Sequence, residues 1–98
     1  MNMQKLMQEA QKMQMQLQKD QKELEKTVYE GISSNVKVKM NGKYELTEVK
    51  LDMDEISVDD KDLIEDMLMV AVNDAVKKIG KDKEKKMGKY GQGIAGLM

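Results

Sequence analysis

The sequence predicts an α+β fold in the order α-β-β-β-α: a long N-terminal helix, a three-stranded antiparallel sheet and a long C-terminal helix. Three observations carry that prediction. Apolar residues recur on a seven-residue frame from Asn2 to about Lys26. A two-residue alternation then runs through Val28 to Leu51 around an Asn41-Gly42 pair, and an apolar stripe at helical spacing resumes at Leu63.

In the first helix, Met3, Ala10, Leu17 and Leu24 share one heptad position, and Leu6, Met13, Asp20 and Thr27 share the other. Gln, Lys and Glu fill the remaining positions, and neither Gly nor Pro interrupts them. Such a helix is about 37 Å long at 1.5 Å per residue, longer than a compact domain of this size is wide. One end must project. The half nearest the strands is expected to pack on the core, and the outer half, with Leu6 and Met13, on another chain.

Thr27 to Ile32 reads as a short strand ended by Ser33-Ser34-Asn35. Val36 to Met40 alternates strictly, and Asn41-Gly42 suits a two-residue hairpin turn with φ > 0 at both positions, so the return strand runs from Lys43 to Asp52. Taken literally, that turn sets Lys39 opposite Tyr44, Val38 opposite Glu45, Lys37 opposite Leu46 and Val36 opposite Thr47. Val36, Val38, Met40, Val49 and Leu51 then line one face. Tyr44, Leu46 and the stems of Lys37 and Lys39 line the other, which makes Tyr44 and Leu46 candidate dimer contacts. A bulge near Thr47 would instead return every apolar group to one side.

An acidic loop leads into the second helix, with Asp59 or Asp60 as the expected N-cap. Leu63, Ile64, Met67, Leu68, Ala71, Val72, Ala75, Val76 and Ile79 form its apolar face. Gly80 lies inside a helix-permissive run, so the helix should continue to about Met87. Residues 1–87 form one domain, and the glycines of residues 88–98 suggest a mobile tail.

Composition excludes more than it specifies. The chain has no Cys, His, Trp, Phe or Pro, which removes disulfides, thiolates, imidazole bases and soft metal ligands. Asp52-x-Asp54 begins like a calcium loop, but Ile56 occupies the third ligand position and Ser57 the turn-glycine position, so no metal is expected. No carboxylate lies in an apolar setting suited to acid–base catalysis, and Gly88-x-x-Gly91-x-Gly93 does not sit between a strand and a helix. The expectations are no enzyme activity, no cofactor and no small-molecule substrate. No apolar run approaches the length that spans a bilayer and no signal peptide opens the chain, so a cytoplasmic protein without a membrane partner is expected.

All seventeen cations are lysine, and the formal net charge is −1. The distribution matters more than the sum. Eight carboxylates between Asp52 and Asp66 stand against Lys61 alone, whereas seven lysines between Lys77 and Lys89 stand against Asp82 and Glu84.

Read together, Val36-Lys-Val-Lys-Met-Asn-Gly42, Glu48-Val-Lys-Leu-Asp52, Asp62-Leu-Ile-Glu-Asp66, Ala71-Val-Asn73-Asp74-Ala75 and Glu84-Lys-Lys-Met87 resemble the YbaB/EbfC family of nucleoid-associated proteins. Leu6-Met-Gln-Glu-Ala-Gln-Lys-Met13 is similar to that family's first helix. A glycine-rich start is missing, and the tail lacks the usual proline. The resemblance implies a homodimer with a central body of strands, helices projecting like tweezers, double-stranded DNA as partner and association with the nucleoid. Lys78, Lys81, Lys83, Lys85, Lys86 and Lys89 are the expected DNA contacts, with Lys5 and Lys12 as helpers. Without arginine, the commonest bidentate contact to guanine is impossible, so low sequence specificity is expected. Asn73 and Asp74 read as structural, with hydrogen bonds in the dimer as one possibility. The rival reading is a protein-binding or chaperone-like adaptor that grips partners through its Met- and Gln-rich first helix.

Overall fold

The computed structural model describes residues 2–88 and has the expected α-β-β-β-α order. Helix α1 spans Met3–Lys26, strands β1, β2 and β3 span Val28–Ser33, Val36–Asn41 and Leu46–Leu51, and helix α2 spans Lys61–Met87. Asn2 caps α1, its side chain accepting the Gln4 backbone N–H at 3.0 Å. At the other end the Thr27 backbone N–H and hydroxyl both donate to the Glu23 carbonyl, at 3.0 and 2.7 Å, as the chain turns extended. The molecule measures 71 × 20 × 15 Å with a radius of gyration of 19.5 Å, against about 13 Å for a compact chain of this length. The projecting helix accounts for the excess.

The sheet has the order β1-β2-β3 and is antiparallel throughout. Its register corrects the literal hairpin reading. Lys39 pairs with Glu48, Val38 with Val49, Lys37 with Lys50 and Val36 with Leu51, while Met40 pairs with Leu46. Two features produce the shift. The loop is Gly42-Lys43-Tyr44 rather than Asn41-Gly42: the Tyr44 N–H donates to the Asn41 carbonyl, the Asn41 N–H donates to the Glu45 carbonyl, and Tyr44 takes the left-handed conformation at φ 64°. Thr47 is then the extra residue of a bulge, and its hydroxyl donates to the Lys39 carbonyl at 3.2 Å. The bulge brings Leu46, Val49 and Leu51 onto the same face as Met40, Val38 and Val36. Leu46 is therefore not on a second apolar face. The opposite face carries Glu30, Lys37, Lys39, Glu48 and Lys50, with Val28 and Ile32 at the β1 side.

Val36, Val38 and Met40 of the central strand form the core with Met67, Ala71, Ala75 and Ile79 of α2. Helix α2 runs antiparallel to β1, since Tyr29, Glu30 and Ile32 meet Asp82, Lys78 and Asp74 in turn. The approach is closest at Gly31, where an added Cβ would stand 1.9 Å from the Ala71 carbonyl oxygen and 2.9 Å from the Ala75 Cβ. Small residues on both sides let helix and strand backbones touch. The short 3-10 turn Val58–Asp60 precedes α2, and the Asp60 carboxylate accepts the Ser57 backbone N–H at 3.0 Å. Asp60 occupies the N-cap position of α2 without a side-chain cap bond, so its carboxylate serves the preceding turn instead of the helix. Gly80 leaves α2 unbroken to Met87.

Only the C-terminal part of α1 joins this body: Asp20 and Leu24 are buried, and Leu17 is half-buried. Gly42 is held against the Leu24 backbone, where a Cβ would lie 1.9 Å from the Leu24 carbonyl oxygen. The Asn-Gly pair thus serves close approach rather than a turn with two positive φ angles. From Met3 to Gln16 every residue is exposed. Apart from Gly88, the expected tail lies outside the described residues.

Candidate nucleic-acid interface

The helical repeat places lysines on defined rows. Lys77, Lys81 and Lys85 follow one another at i, i+4, i+8 on α2, about 6 Å apart along its axis, and all three are exposed. Lys83 is exposed on a different flank. Lys81, Lys83 and Lys85 make no ion pair or hydrogen bond among the described residues.

Two of the expected contacts are occupied within the chain. The Lys78 ammonium donates to the Glu30 carbonyl at 2.8 Å and pairs with Asp74 at 3.2 Å. Lys86 pairs with Asp82 at 3.2 Å and is half-buried. Lys89 lies outside the described residues. On α1, Lys5 and Lys12 are exposed on the projecting half, and Lys19 and Lys26 continue their seven-residue row. Lys77, Lys19 and Lys26, not among the contacts expected from the sequence, stand at the same regular spacing along exposed helix faces. Of the expected dimer contacts, Leu6 and Met13 lie on the projecting half of α1, Tyr44 in the β2–β3 loop and Leu46 on β3. Their exposures run from 43% to 58%.

Lys78 and Lys86 belong to two clusters that tie α2 to β1. In the first, the Asp74 carboxylate accepts the Ile32 backbone N–H at 3.0 Å; that bond, and then Lys78, hold Asp74 below the ordinary carboxylate range. This bond is within one chain, so Asp74 needs no partner copy. In the second, the Tyr29 hydroxyl donates to Asp82, which Lys86 also neutralises. Burial, then the bond to Asp82, pushes the Tyr29 hydroxyl up to about 12, while Asp82 is shifted down, chiefly by the Tyr29 hydroxyl and next by Lys86. Both clusters anchor structure, leaving Lys77, Lys81, Lys83 and Lys85 as the untied cations of this end.

The acidic stretch Asp52–Asp66 lies toward the other end of α2, whose length is about 40 Å. Among the described residues no group of His, Cys, Asp or Glu is arranged to hold a metal ion, and no helix is long and apolar enough to cross a membrane. The arrangement is an elongated body with lysine rows on helical surfaces.

Comparison with protein families matches residues 1–94 to the YbaB/EbfC DNA-binding family. The chain belongs to the YbaB/EbfC DNA-binding family. Among relatives of known name, a nucleoid-associated protein of Ligilactobacillus salivarius is 42% identical, the match covering 99% of this chain and 95% of that protein. A nucleoid-associated protein of Chloroflexus aurantiacus is 39% identical, with 99% of both chains covered. The crystal structure of an uncharacterized protein, HP0035 from Helicobacter pylori, superposes with a TM-score of 0.70 at 24% identity over 87% of this chain and 91% of that one. That likeness concerns the fold. The YbaB/EbfC assignment expected from the hairpin and Asn73-Asp74-Ala75 therefore holds over nearly the whole chain, and Asp74 and Ala75 are the residues that cap β1 and abut Gly31.

Proposed function

We propose that this YbaB/EbfC protein acts as a homodimer at the nucleoid, binding double-stranded DNA through lysines on α2 and α1 with little sequence preference. The observation that carries the reading is the exposed row Lys77-Lys81-Lys85, with Lys83 beside it, in a chain of a DNA-binding family. Lysines at such spacing neutralise phosphates and release counterions, an attraction blind to base sequence that weakens steeply with salt. No arginine is present to read guanine, and no aromatic-rich strand offers a stacking surface for single strands. Paired copies with projecting α1 helices would give the tweezer-like outline, and occupancy of many sites would alter DNA conformation, nucleoid organisation and gene expression. The curated relatives' name, nucleoid-associated protein, supports the location.

The test is a titration onto unrelated duplexes at several salt concentrations with the triple variant Lys81→Gln, Lys83→Gln, Lys85→Gln. Every duplex should bind, and the slope of log K against log salt should become shallower by about one for each phosphate that a lysine no longer neutralises. Equal slopes for the variant and the parent would exclude these lysines. Absence of binding even at low salt would sink the DNA reading. A second reading draws on the exposed Met3, Leu6, Met7, Met13 and Met15 of α1, a flexible apolar surface suited to gripping a protein. DNA-independent association with a purified helical peptide, abolished by polar substitution of Leu6 and Met13, would favour that adaptor role.

A further inference from the structure

The loop between β2 and β3 carries a residue type that its conformation disfavours. Gly42-Lys43-Tyr44 places the left-handed backbone at Tyr44, with φ 64°, where glycine is the ordinary choice in a three-residue hairpin loop. The loop does contain a glycine, but Gly42 serves the close seat under Leu24 instead. Among the described residues the other non-glycine residue with positive φ is Ser34, a small residue in the turn between β1 and β2. A bulky aromatic residue in this region costs stability, and such a conformation persists only where the surroundings impose it.

Asn41 imposes it here. Its side-chain oxygen accepts the backbone N–H groups of Lys43 and Glu45, at 2.9 and 3.1 Å, and its side-chain nitrogen donates to the Glu45 carboxylate at 3.0 Å. Backbone bonds from Asn41 to Tyr44 and Glu45, and the contact of Gly42 with α1, remove most of the remaining freedom. Tyr44 is thus held 43% exposed on a fixed support, and the exposed Lys43 beside it makes no ion pair among the described residues. Topology puts this ring at the lysine-bearing end of the molecule. Asn41 faces Val28 across the sheet, the adjoining Tyr29 reaches Asp82, and Gly42 abuts Leu24 and Glu25. The hairpin tip therefore lies where α1 joins the body and α2 ends, alongside the exposed Lys26, Lys81, Lys83 and Lys85. The acidic stretch Asp52–Asp66 begins at the other end of the sheet, where Leu51 faces Val36. A duplex drawn to the lysine rows meets Tyr44. The ring offers what lysines lack, a rigid apolar face that can press on a base step, at small entropic cost because two torsions set its position.

We propose that Tyr44 is a DNA-contacting residue, pressing its ring against the duplex while Lys43 neutralises an adjoining phosphate. This rests on the DNA reading above and adds an uncharged contact to it. Tyr44→Gly is the informative variant, because it removes the ring and relieves the left-handed strain together. Its melting temperature should equal or exceed the parent's, while its affinity for every duplex falls roughly ten-fold, the size of one aromatic contact to a base. The slope of log K against log salt should not change, since no charge is lost. Tyr44→Phe should bind like the parent. Undiminished binding by Tyr44→Gly overturns the assignment. So does a loss of binding accompanied by a fall in mass by light scattering, which would make Tyr44 a contact between copies. The chain has no tryptophan, so Tyr44→Trp gives a direct readout: its emission should change on adding duplex, and that of Val58→Trp, 88% exposed at the acidic end, should not. Equal responses at the two positions overturn the assignment as well. If the parent binds no duplex even at low salt, the DNA reading fails and takes this contact with it; a parent that binds beside an unimpaired Tyr44→Gly sinks the tyrosine contact alone.

Discussion

Strands β1 and β3 are both edges of one sheet, yet they are stabilised in opposite ways. Strand β1 is pressed against α2 at Gly31, its outward backbone is held by Asp74 and Lys78, and Tyr29 reaches Asp82. Strand β3 is joined to β2 but has no helix over it, and its apolar Leu46 and Val49 stay about half exposed. The difference teaches that in a small domain one helix covers two strands; the third must find cover outside the protomer or remain wet. Stability should therefore be concentrated along the β1–α2 contact.

Gly31→Val tests this most severely. Its branched side chain would meet the Ala71 carbonyl, a backbone atom that yields only if α2 lifts, so the loss should exceed ~3 kcal/mol and leave much of the chain unfolded in chemical denaturation. Val49→Thr on β3 should cost the isolated protomer less than ~1 kcal/mol, because the site is half-exposed and the shape is kept. Comparable losses at the two sites would break the comparison.

Asp74→Asn keeps the shape but weakens the bond to Ile32 and removes the pairing with Lys78, so the melting temperature should fall by less than for Gly31→Val. The same cluster sets a pH dependence. Asp74 and Asp82 have folded values below the ordinary 3.8, so the stability they supply is present above that value and is lost as pH falls through their folded values. Tyr29 has the opposite sign: its contribution is intact below about 10 and disappears as pH rises toward 12. Melting temperatures should fall on both flanks, with the acid flank flatter in Asp74→Asn and the alkaline flank flatter in Tyr29→Phe.

A second small effect sharpens the register of β3. Deleting Thr47 removes the bulged residue and leaves Leu46, Val49 and Leu51 in phase with Met40, Val38 and Val36, so it should cost only about 1 kcal/mol, the worth of one hydrogen bond. Deleting Glu48 instead leaves Thr47 to take its place opposite Lys39 and should be similarly mild. A large loss from either deletion, measured by chemical denaturation, would mean that the bulge itself shapes the sheet.

Much of this fold was legible because its signals are local. The heptad frame of α1, the alternation of Val36 to Met40 and the apolar stripe from Leu63 to Ile79 each report a repeat along the backbone. They locate the elements to within about a residue at most ends; the return strand alone begins three residues later than expected, at Leu46. The register of β3 was not legible in the same way. Asn41-Gly42 favours a two-residue turn in isolation, but the close seat of Gly42 under Leu24 belongs to a contact between α1 and the hairpin, and the loop lengthened to three residues with Tyr44 in the left-handed region.

The candidate site divides along the same line. Clustering of lysines toward the C-terminal end of α2 is a property of the chain. Which lysines are tied is partly so as well: Lys78 and Lys86 each have an aspartate four residues earlier, Asp74 and Asp82, where Lys81 and Lys85 have lysines, and β1 adds the Glu30 carbonyl as a partner of Lys78 and the Tyr29 hydroxyl as a partner of Asp82. By itself the sequence determined the element order, the length of the helices and the polarity of charge along α2, since periodicity, helix propensity and side-chain charge act between near neighbours. Only tertiary structure decided the strand register, the closed β1 edge and the bonds that tie Asp74, Lys78 and Asp82 to β1, because those depend on atoms brought together from distant parts of the chain.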